Sequence, residues 1–413
     1  MKIHFIGIGG IGISALAGYY LKKGAMVSGS DLSFSETTNY LKKQGAKIIN
    51  GHKIQNIKKD LDLVIYSPAV KKENPEYKRA KELKIPLKSY PQALGQLTKK
   101  YFTIAVSGTH GKSTTCSMIA LLLEKAGFDP TVIVGTKLKE FSNLNFRVGK
   151  SKYLVIEADE HFASFLNYSP DIIILTNIEK EHLDYYKNFK NILKTFKKYI
   201  KKLPKNGLLI INKDIKIKAL NVIKYGQRRI KLKIPGKHNQ LNASAALTLA
   251  RYLRIPDKIS LKVLAEYNGC WRRFEQRKYK KLIIISDYAH HPTEVRETLK
   301  AAREKFKQKN IWCIFQPHQY QRTYYFFNDF IKTFKFNYQD NLIITDVFEV
   351  EGRENENIKK KVNIQKLAKK AGGIYLTQDK IGNYLKNNIK NNSIIIFMGA
   401  GNIYLLADKI FPK

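Results

Sequence analysis

Short apolar runs alternate with longer stretches whose apolar residues return every three or four positions, from one end of the chain to the other. The short runs predict strands at Lys2–Ile8, Met26–Gly29, Tyr101–Val106, Leu282–Ser286, Ile311–Phe315, Asn341–Thr345 and Ser393–Phe397. The longer stretches predict helices from the first glycine cluster through Lys23, from a second glycine cluster through Ala126, and over Asn239–Tyr252 and Thr293–Lys307. Strands alternating with amphipathic helices imply an α/β architecture with largely parallel sheets. At 413 residues the chain exceeds one ordinary core. Three times a strand opens a new block, and breaks near Thr98–Tyr101 and Asn268–Arg273 predict three domains, 1–98, 99–270 and 271–413.

Apolar residues make up 44% of the chain, enough for a core in each domain. No apolar run reaches the roughly 18 residues that span a bilayer. Met1–Leu21 opens like a signal peptide, with a lysine before apolar residues. Gly7, Gly9, Gly10 and Gly12 interrupt it, however, and no small-residue cleavage site stands out. A buried strand, a glycine turn and a helix explain it better, so a soluble, cytoplasmic protein is expected. Cys116, Cys270 and Cys313 are far apart, fit neither a disulfide framework nor metal-ligand spacing, and are read as buried small apolar residues. The net charge of +40 raises the question of nucleic acid. The lysines are spread along the whole chain, as in Lys190–Lys202 and Lys300–Lys309, with no arginine-rich helix, zinc-finger spacing or aromatic RNA module. A solvated surface that attracts anionic substrates accounts for them, and nucleic acid is not an expected partner.

Two glycine loops carry the chemistry. Gly7-Ile8-Gly9-Gly10-Ile11-Gly12 satisfies G-x-G-x-x-G between a strand and a helix, which suits a pyrophosphate at the helix N-terminus. Asp31 follows the second strand, where a ribose-binding acid belongs. That geometry serves a dinucleotide or a UDP-sugar equally. The second loop, Ser107 to Ser113, reads SGTHGKS, a shortened phosphate loop with Val106 at the strict first glycine. Its backbone amides would wrap phosphates, Lys112 would reach the β and γ oxygens, and the Ser113 hydroxyl can ligate Mg²⁺. A chain with both loops binds two phosphorylated ligands, which an NAD-dependent oxidoreductase would not need.

With both loops in place, the sequence resembles the Mur ligase family over nearly its whole length. GIGGIG, GSDL (Gly29–Leu32) and SPAVKKENPE (Ser67–Glu76) are similar to the family's sugar-nucleotide domain. GTHGKST, EADE (Glu157–Glu160), TNIEKEHLD (Thr176–Asp184), GKHNQLNA (Gly236–Ala243) and WRRFE (Trp271–Glu275) follow in order. DYAHHPTE (Asp287–Glu294), FQPHQYQRT (Phe315–Thr323) and GAGNI (Gly399–Ile403) resemble its C-terminal domain. The resemblance implies three α/β domains: an N-terminal Rossmann-like domain for UDP-N-acetylmuramate, a central P-loop ATPase-type domain and a C-terminal Rossmann-like domain for the amino acid. It also implies a ligase that uses ATP and Mg²⁺ to join L-alanine to the lactyl carboxylate of UDP-N-acetylmuramate through an acyl phosphate.

Residue by residue, the resemblance implies sugar-nucleotide contacts at Gly7, Gly9, Gly10, Ile11, Gly12, Ser30, Asp31 and Ser67. ATP phosphates would lie on Gly108, Thr109, His110, Gly111, Lys112, Ser113 and Thr114. Mg²⁺ would take Ser113, Glu157 and His182, a hydroxyl, a carboxylate and an imidazole. Asn239 and Asn242 would contact adenine, Asp287 the ribose, and Arg273 the transferring phosphoryl group. Tyr288, His290 and Arg322 would form the amino-acid pocket, with Arg322 on the α-carboxylate and His290 on the amine. Asp159 and Glu160 are read as loop-organising carboxylates, Arg272 as a surface charge, and His291 and His318 as structural. Four departures stand out. Ser113 replaces a common threonine, His161-Phe162 follow EADE where Ser-Asp is usual, and Gln319 stands where an arginine is frequent. The stretch Asn212–Pro235 is also short, which predicts missing peripheral strands. Gln319 opens the pocket to glycine or L-serine. The competing readings are a recycling ligase that attaches a ready-made peptide to UDP-N-acetylmuramate, and a non-catalytic sugar-nucleotide-binding relative.

Overall fold

A computed structural model of the chain describes residues 1–336, 338–350 and 354–412. It contains three sheets, as the α/β pattern requires. The first is wholly parallel and joins β1 (Lys2–Ile6), β2 (Met26–Asp31), β3 (Lys47–Asn50), β4 (Leu63–Tyr66) and β5 (Leu87–Ser89) in the order β3-β2-β1-β4-β5. The order reverses between β1 and β4, so the loops after both strands open on one crevice at the carboxyl edge.

The second sheet holds β6 (Phe102–Ser107), β7 (Thr131–Leu138), β8 (Leu144–Arg147), β9 (Tyr153–Glu157), β10 (Ile172–Leu175), β11 (Leu208–Asn212) and β12 (Val222–Tyr225). Its order is β12-β11-β10-β6-β9-β7-β8, parallel except for the β7–β8 hairpin. The third joins β13 (Glu275–Tyr279), β14 (Leu282–Asp287), β15 (Ile311–Phe315), β16 (Asn341–Ile344), β17 (Ile374–Tyr375) and β18 (Ile394–Met398) in the order β13-β14-β18-β15-β16-β17. Only β13 in it is antiparallel to its neighbour.

Most element boundaries shift by one or two residues from the sequence pattern, and two of the shifts have clear local reasons. The first strand ends at Ile6 rather than Ile8, because Gly7 adopts φ +76° and turns the chain. The second runs past Gly29 to Asp31, since Ser30 and Asp31 still pair with Ile49 and Asn50. Gly29 interrupts the apolar run for a packing reason: a Cβ there would fall 2.5 Å from the Ile8 side chain.

The chain forms two compact units. Met1–Glu179, Lys190–Gly226 and Ala243–Leu264 form the first, which carries the first two sheets. Lys180–Phe189, Gln227–Asn242 and Ala265–Lys413 form the second, which carries the third sheet. Within the first unit, the helix Ile11–Lys22 lies against the β7–β8 hairpin. Gly18 faces the Phe146 ring so closely that a Cβ would come within 2.2 Å of it, so only glycine allows this approach. Asn145 secures the same contact by donating from Nδ2 to the Ile11 carbonyl and, at 3.2 Å, to Ser14 Oγ. The helix Tyr90–Thr98 packs on β4, β5, the helix Ile11–Lys22 and the turn His161–Asn167. Both glycine loops therefore belong to one packed body.

The central strands are fully apolar where both faces are covered, as at Ile104, Val106, Ile156, Ile173 and Ile174, all buried. Burial of such side chains contributes about 1.5–3 kcal/mol each. No helix among the described residues is long and apolar enough to cross a membrane.

Candidate active site

At the first glycine loop, β2 holds the turn in place. Ser30 O accepts from Gly7 N at 2.8 Å and Ile8 N at 3.0 Å, and Asp31 Oδ2 accepts from Gly9 N at 2.7 Å. Gly9 must lack a side chain, since a Cβ would sit 2.9 Å from that same carboxylate oxygen. A Cβ on Gly7 would fall 3.1 Å from Ser67 Cβ, so the loop after β1 and the residue after β4 meet here. The structure thus brings Gly7, Gly9, Ser30, Asp31 and Ser67 together, with Gly10, Ile11 and Gly12 opening the helix. Asp31 Oδ1 also accepts from Leu32 N at 2.8 Å, so its carboxylate braces its own chain.

Beneath this loop lies a polar cluster that sequence reading passed over. Glu76, fully buried, accepts from Ser30 Oγ at 2.5 Å, from Lys53 N at 3.3 Å and from Asn56 Nδ2. His52 Nδ1 lies 3.4 Å from the same carboxylate and His4 Nε2 3.5 Å from it. Burial alone would raise the Glu76 carboxyl, but the hydrogen bonds from His4, His52, Ser30 and Asn56 hold it well below the usual carboxylate range. The bond to Glu76 in turn raises the pKa of His52.

At the second loop, Gly108 and Gly111 take φ +133° and +80°, and Gly111 caps the helix Lys112–Lys125. Thr115 N is the first amide to bond back, to Gly111 O at 2.9 Å. Helix geometry leaves the amides of Lys112, Ser113 and Thr114 at the open end, where an anion is favoured. Lys112 Nζ donates to Gly108 O at 2.8 Å, Thr109 O at 3.2 Å and Glu160 Oε2 at 2.8 Å. Burial opposes the Lys112 charge, yet Glu160, Asp159 and Glu157 together raise its pKa. Burial pushes the Glu160 carboxyl up to about 8 against the pull of Lys112. Glu160 therefore does more than organise a loop: it holds the lysine in place.

The residues Thr176 and Asn177 brace the phosphate loop from outside. Asn177 Oδ1 accepts from His110 N at 2.8 Å, and Asn177 O accepts from Thr109 N at 3.1 Å. Thr176 Oγ1 donates to His110 O at 2.7 Å. Glu179 N donates to Thr109 Oγ1 at 2.9 Å, so Thr109 and His110 are fixed by this strand end. Glu157 ends β9, and its Oε2 accepts from Gly135 N at 2.9 Å. A Cβ on Gly135 would fall 2.8 Å from that oxygen, so the carboxylate fills a cradle that only glycine leaves open. A carboxylate oriented in this way and the Ser113 hydroxyl are hard oxygen donors of the kind Mg²⁺ prefers.

In the second unit, Arg322 and Glu181 form a buried pair, with Nε and Nη2 at 3.1 and 3.0 Å from Oε1. Arg322 Nη1 also reaches His318 Nδ1 at 3.0 Å, His318 O at 3.1 Å and Gln319 Oε1 at 3.3 Å. Burial would raise the Glu181 carboxyl, but Arg322 and the neighbouring histidines hold it well below the usual range. His182 follows with φ +53° and opens the short helix Leu183–Tyr186. His290 Nδ1 faces Tyr288 O at 2.9 Å. A carbonyl only accepts, so Nδ1 carries the proton and Nε2 keeps its lone pair. The Tyr288 and His290 rings meet edge to face. His291 and His318 do hold loops: His291 accepts from Thr293 N and contacts Lys180 O at 3.1 Å, and His318 stacks on Phe348.

Arg272 is not a surface charge. It is 4% exposed, and its guanidinium lies over Trp271, Tyr288 and Tyr404, with centroids at 5.4, 4.9 and 4.4 Å. Nη2 donates to Gly399 O, so cation–π contacts and one hydrogen bond replace its water. Arg273 lies over the Tyr288 ring at 4.9 Å and 3.5 Å from Glu294. Asp287 accepts from Phe274 N at 2.7 Å and Ala289 N at 2.8 Å. Asn239 and Asn242, both buried, lie within 3.4 Å of each other, and Asn239 Nδ2 donates to Pro235 O.

Burial pushes His238 and His290 down to about 4, with the Arg322 charge also acting on His290. An unfolded histidine titrates near 6.5 and binds its proton first as pH falls. Each therefore supports the fold above about pH 6.5, and that support is lost as pH falls toward 4, by about 3 kcal/mol per group. Urea titrations at pH 7 and pH 5 should show a lower midpoint at pH 5, and His238→Gln should reduce that drop by about half, His290 keeping the rest. An equal drop in that variant would contradict the assignment.

Sequence models of known families match the chain in three places. The Mur ligase family, catalytic domain, matches residues 2–102, the Mur ligase middle domain 106–229, and the Mur ligase, glutamate ligase domain 272–401. A UDP-N-acetylmuramate–L-alanine ligase from Acetivibrio thermocellus is 39% identical, over 98% of this chain and 94% of the relative. The solved UDP-N-acetylmuramate-alanine ligase from Thermotoga maritima superposes with a TM-score of 0.83 at 30% identity, covering 99% of this chain and 98% of that one. The murein peptide ligase from Psychrobacter arcticus shares the fold at 22% identity, with a TM-score of 0.76 and coverage of 99% and 98%. Three consecutive family domains and full-length relatives agree with the two glycine loops and the braced lysine, and the chain belongs to the Mur ligase family.

Proposed function

We propose that this protein is an ATP-dependent amide-forming ligase that joins L-alanine to the lactyl carboxylate of UDP-N-acetylmuramate, a step of peptidoglycan-precursor synthesis in the cytoplasm. The observation that carries the reading is that one compact unit holds both a sugar-nucleotide loop and a phosphate loop with its lysine in place. The relatives at 37–39% identity, named for this reaction, support it along the whole chain. In the first step a lactyl carboxylate oxygen attacks the γ-phosphorus of ATP, and ADP leaves. Lys112 and the amides of the Lys112–Lys125 helix end offset charge on the transferring phosphoryl group. Arg273 and His182 complete the proposed set. Mg²⁺ on Ser113 and Glu157 would add positive charge at the β and γ oxygens. In the second step the amine of L-alanine attacks the acyl carbonyl and inorganic phosphate departs as the amide forms. Arg322 holds the α-carboxylate, and His290 Nε2 accepts the proton that the amine loses. Asn239, Asn242 and Asp287 serve adenine and ribose in this reading, with Tyr288 lining the amino-acid side.

Phosphate release that requires both UDP-N-acetylmuramate and an amino acid tests the proposal. L-alanine, glycine, L-serine and a muropeptide-type tripeptide should be compared side by side, with alanine expected to give the highest kcat/KM. Preference for the tripeptide would favour a recycling ligase instead. No release with any acceptor would favour a binding protein without catalysis.

A further inference from the structure

Tyr90 opens the helix Tyr90–Thr98, between Ser89 and Pro91. Ser89 N and Oγ donate to Gln92 Oε1 at 2.9 and 3.0 Å, and the proline ring restricts the next φ, so this helix start is rigid. The Tyr90 ring lies directly on the diphosphate helix: a Cβ on Gly12 would fall 2.8 Å from Cζ and 3.0 Å from the hydroxyl oxygen. Glycine at position 12 thus makes room for a phenol as well as for a phosphate. The helix that Tyr90 opens packs on the turn His161–Asn167, just after the Glu157 and Asp159 carboxylates, whose charges act on the phenol. Burial and those two charges keep it protonated. Its hydroxyl has no hydrogen-bond partner among the described residues. A half-buried phenol without a protein partner can donate to a ligand acceptor in place of water.

The ligand must cross this point. A sugar nucleotide with its diphosphate on the Ile11–Lys22 helix end has to deliver a carboxylate toward Glu157 and the phosphate loop. We infer that the Tyr90 hydroxyl, wedged between Gly12 and the Glu157 side of the cleft, donates a hydrogen bond to the lactyl carboxylate of the sugar nucleotide and so aims it at the phosphoryl donor. This makes Tyr90 a substrate-contacting residue and rests on the ligase reading above. The charge on the acceptor makes the bond a strong one, and its loss should cost about tenfold or more in affinity.

Two sugar nucleotides that differ by the lactyl group separate the possibilities. Calorimetry on the full chain should show Tyr90→Phe binding UDP-N-acetylmuramate about tenfold or more weakly than the parent, with UDP-N-acetylglucosamine binding unchanged. Tyr90→Leu, which also removes the ring from Gly12, should weaken UDP-N-acetylmuramate at least as much, and any loss it adds for UDP-N-acetylglucosamine measures the packing alone. In turnover, kcat/KM for UDP-N-acetylmuramate should fall by the same factor while the KM for ATP stays within about twofold. Equal weakening of both sugar nucleotides would overturn the carboxylate contact and leave only packing on Gly12. Unchanged binding of both would overturn the inference altogether. Binding reads Tyr90 without turnover, so a parent that binds UDP-N-acetylmuramate yet never releases phosphate would sink the ligase reading alone.

Discussion

Lys112→Met should lower the rate of phosphate release by about 100- to 1,000-fold, the usual loss when one preorganised donor is removed from a transition-state site. The side chain already sits where the γ-phosphate side of ATP is expected, tied to Gly108 O, Thr109 O and Glu160 Oε2. Glu160 Oε2 accepts from the ammonium at the distance a phosphate oxygen would take. Methionine preserves the length and the apolar stem, so the loss isolates the charge. The variant also leaves Glu160, 2% exposed, without its counter-ion. Breaking a buried pair costs about 3–5 kcal/mol when the remaining charge persists. Here the carboxyl is already pushed up to about 8 and can take a proton instead. Lys112 holds that value down, so the carboxyl of the variant titrates higher still. Below about pH 8 it is protonated in both proteins and they differ little, and above it only the parent gains by ionising Glu160 beside a counter-ion. The melting temperature of Lys112→Met should therefore fall further behind the parent at pH 9 than at pH 6. Lys112→Met combined with Glu160→Gln should recover the melting temperature and none of the turnover. Turnover of Lys112→Met within about threefold of the parent would remove Lys112 from the mechanism.

Much of this site was legible because its chemistry is local in sequence. The strand before each glycine loop is a continuous apolar run, as expected where both faces of a parallel strand are covered, and the turn and helix follow within a few residues. What escaped notice depends on partners distant along the chain. Glu76 meets Ser30 across 46 positions, and Thr176 meets His110 across 66, and no spacing rule exposes such pairs. Arg272 read as a surface charge because arginines normally stay in water; its cage needs Tyr404, brought in by the last helix. The β7–β8 hairpin was missed because its turn carries no Asn-Gly or Asp-Gly signal. The left-handed positions fall on Ser142 and Asn143, at φ +55° and +59°. Tyr90 carried no motif at all. Only the closeness of Gly12 shows what it faces.

Arg322→Lys should raise the KM for L-alanine by about 10- to 100-fold while the KM for ATP stays near the parent value. The guanidinium makes five contacts with Glu181, His318 and Gln319, and lysine keeps the charge but not the planar fork that makes them. An amino-acid carboxylate arriving here must share that fork with Glu181, and the pair together offers a cation for the carboxylate and an anion for the ammonium. A point charge cannot serve both partners at once, and charge-assisted hydrogen bonds of about 1.5–3 kcal/mol are lost. Arg322→Ala should go further, because Glu181 is then a buried carboxylate with no cation. Its cost of about 3–5 kcal/mol should appear as a lower urea midpoint. Glu181→Gln should relieve most of that cost when added to Arg322→Ala, since the two residues act as one unit. Gln319→Arg, which restores a second guanidinium beside Arg322, should sharpen the preference for alanine over glycine. Steady-state titrations with alanine, glycine and serine measure all four variants, and an alanine KM unmoved by Arg322→Lys would place the amino acid elsewhere.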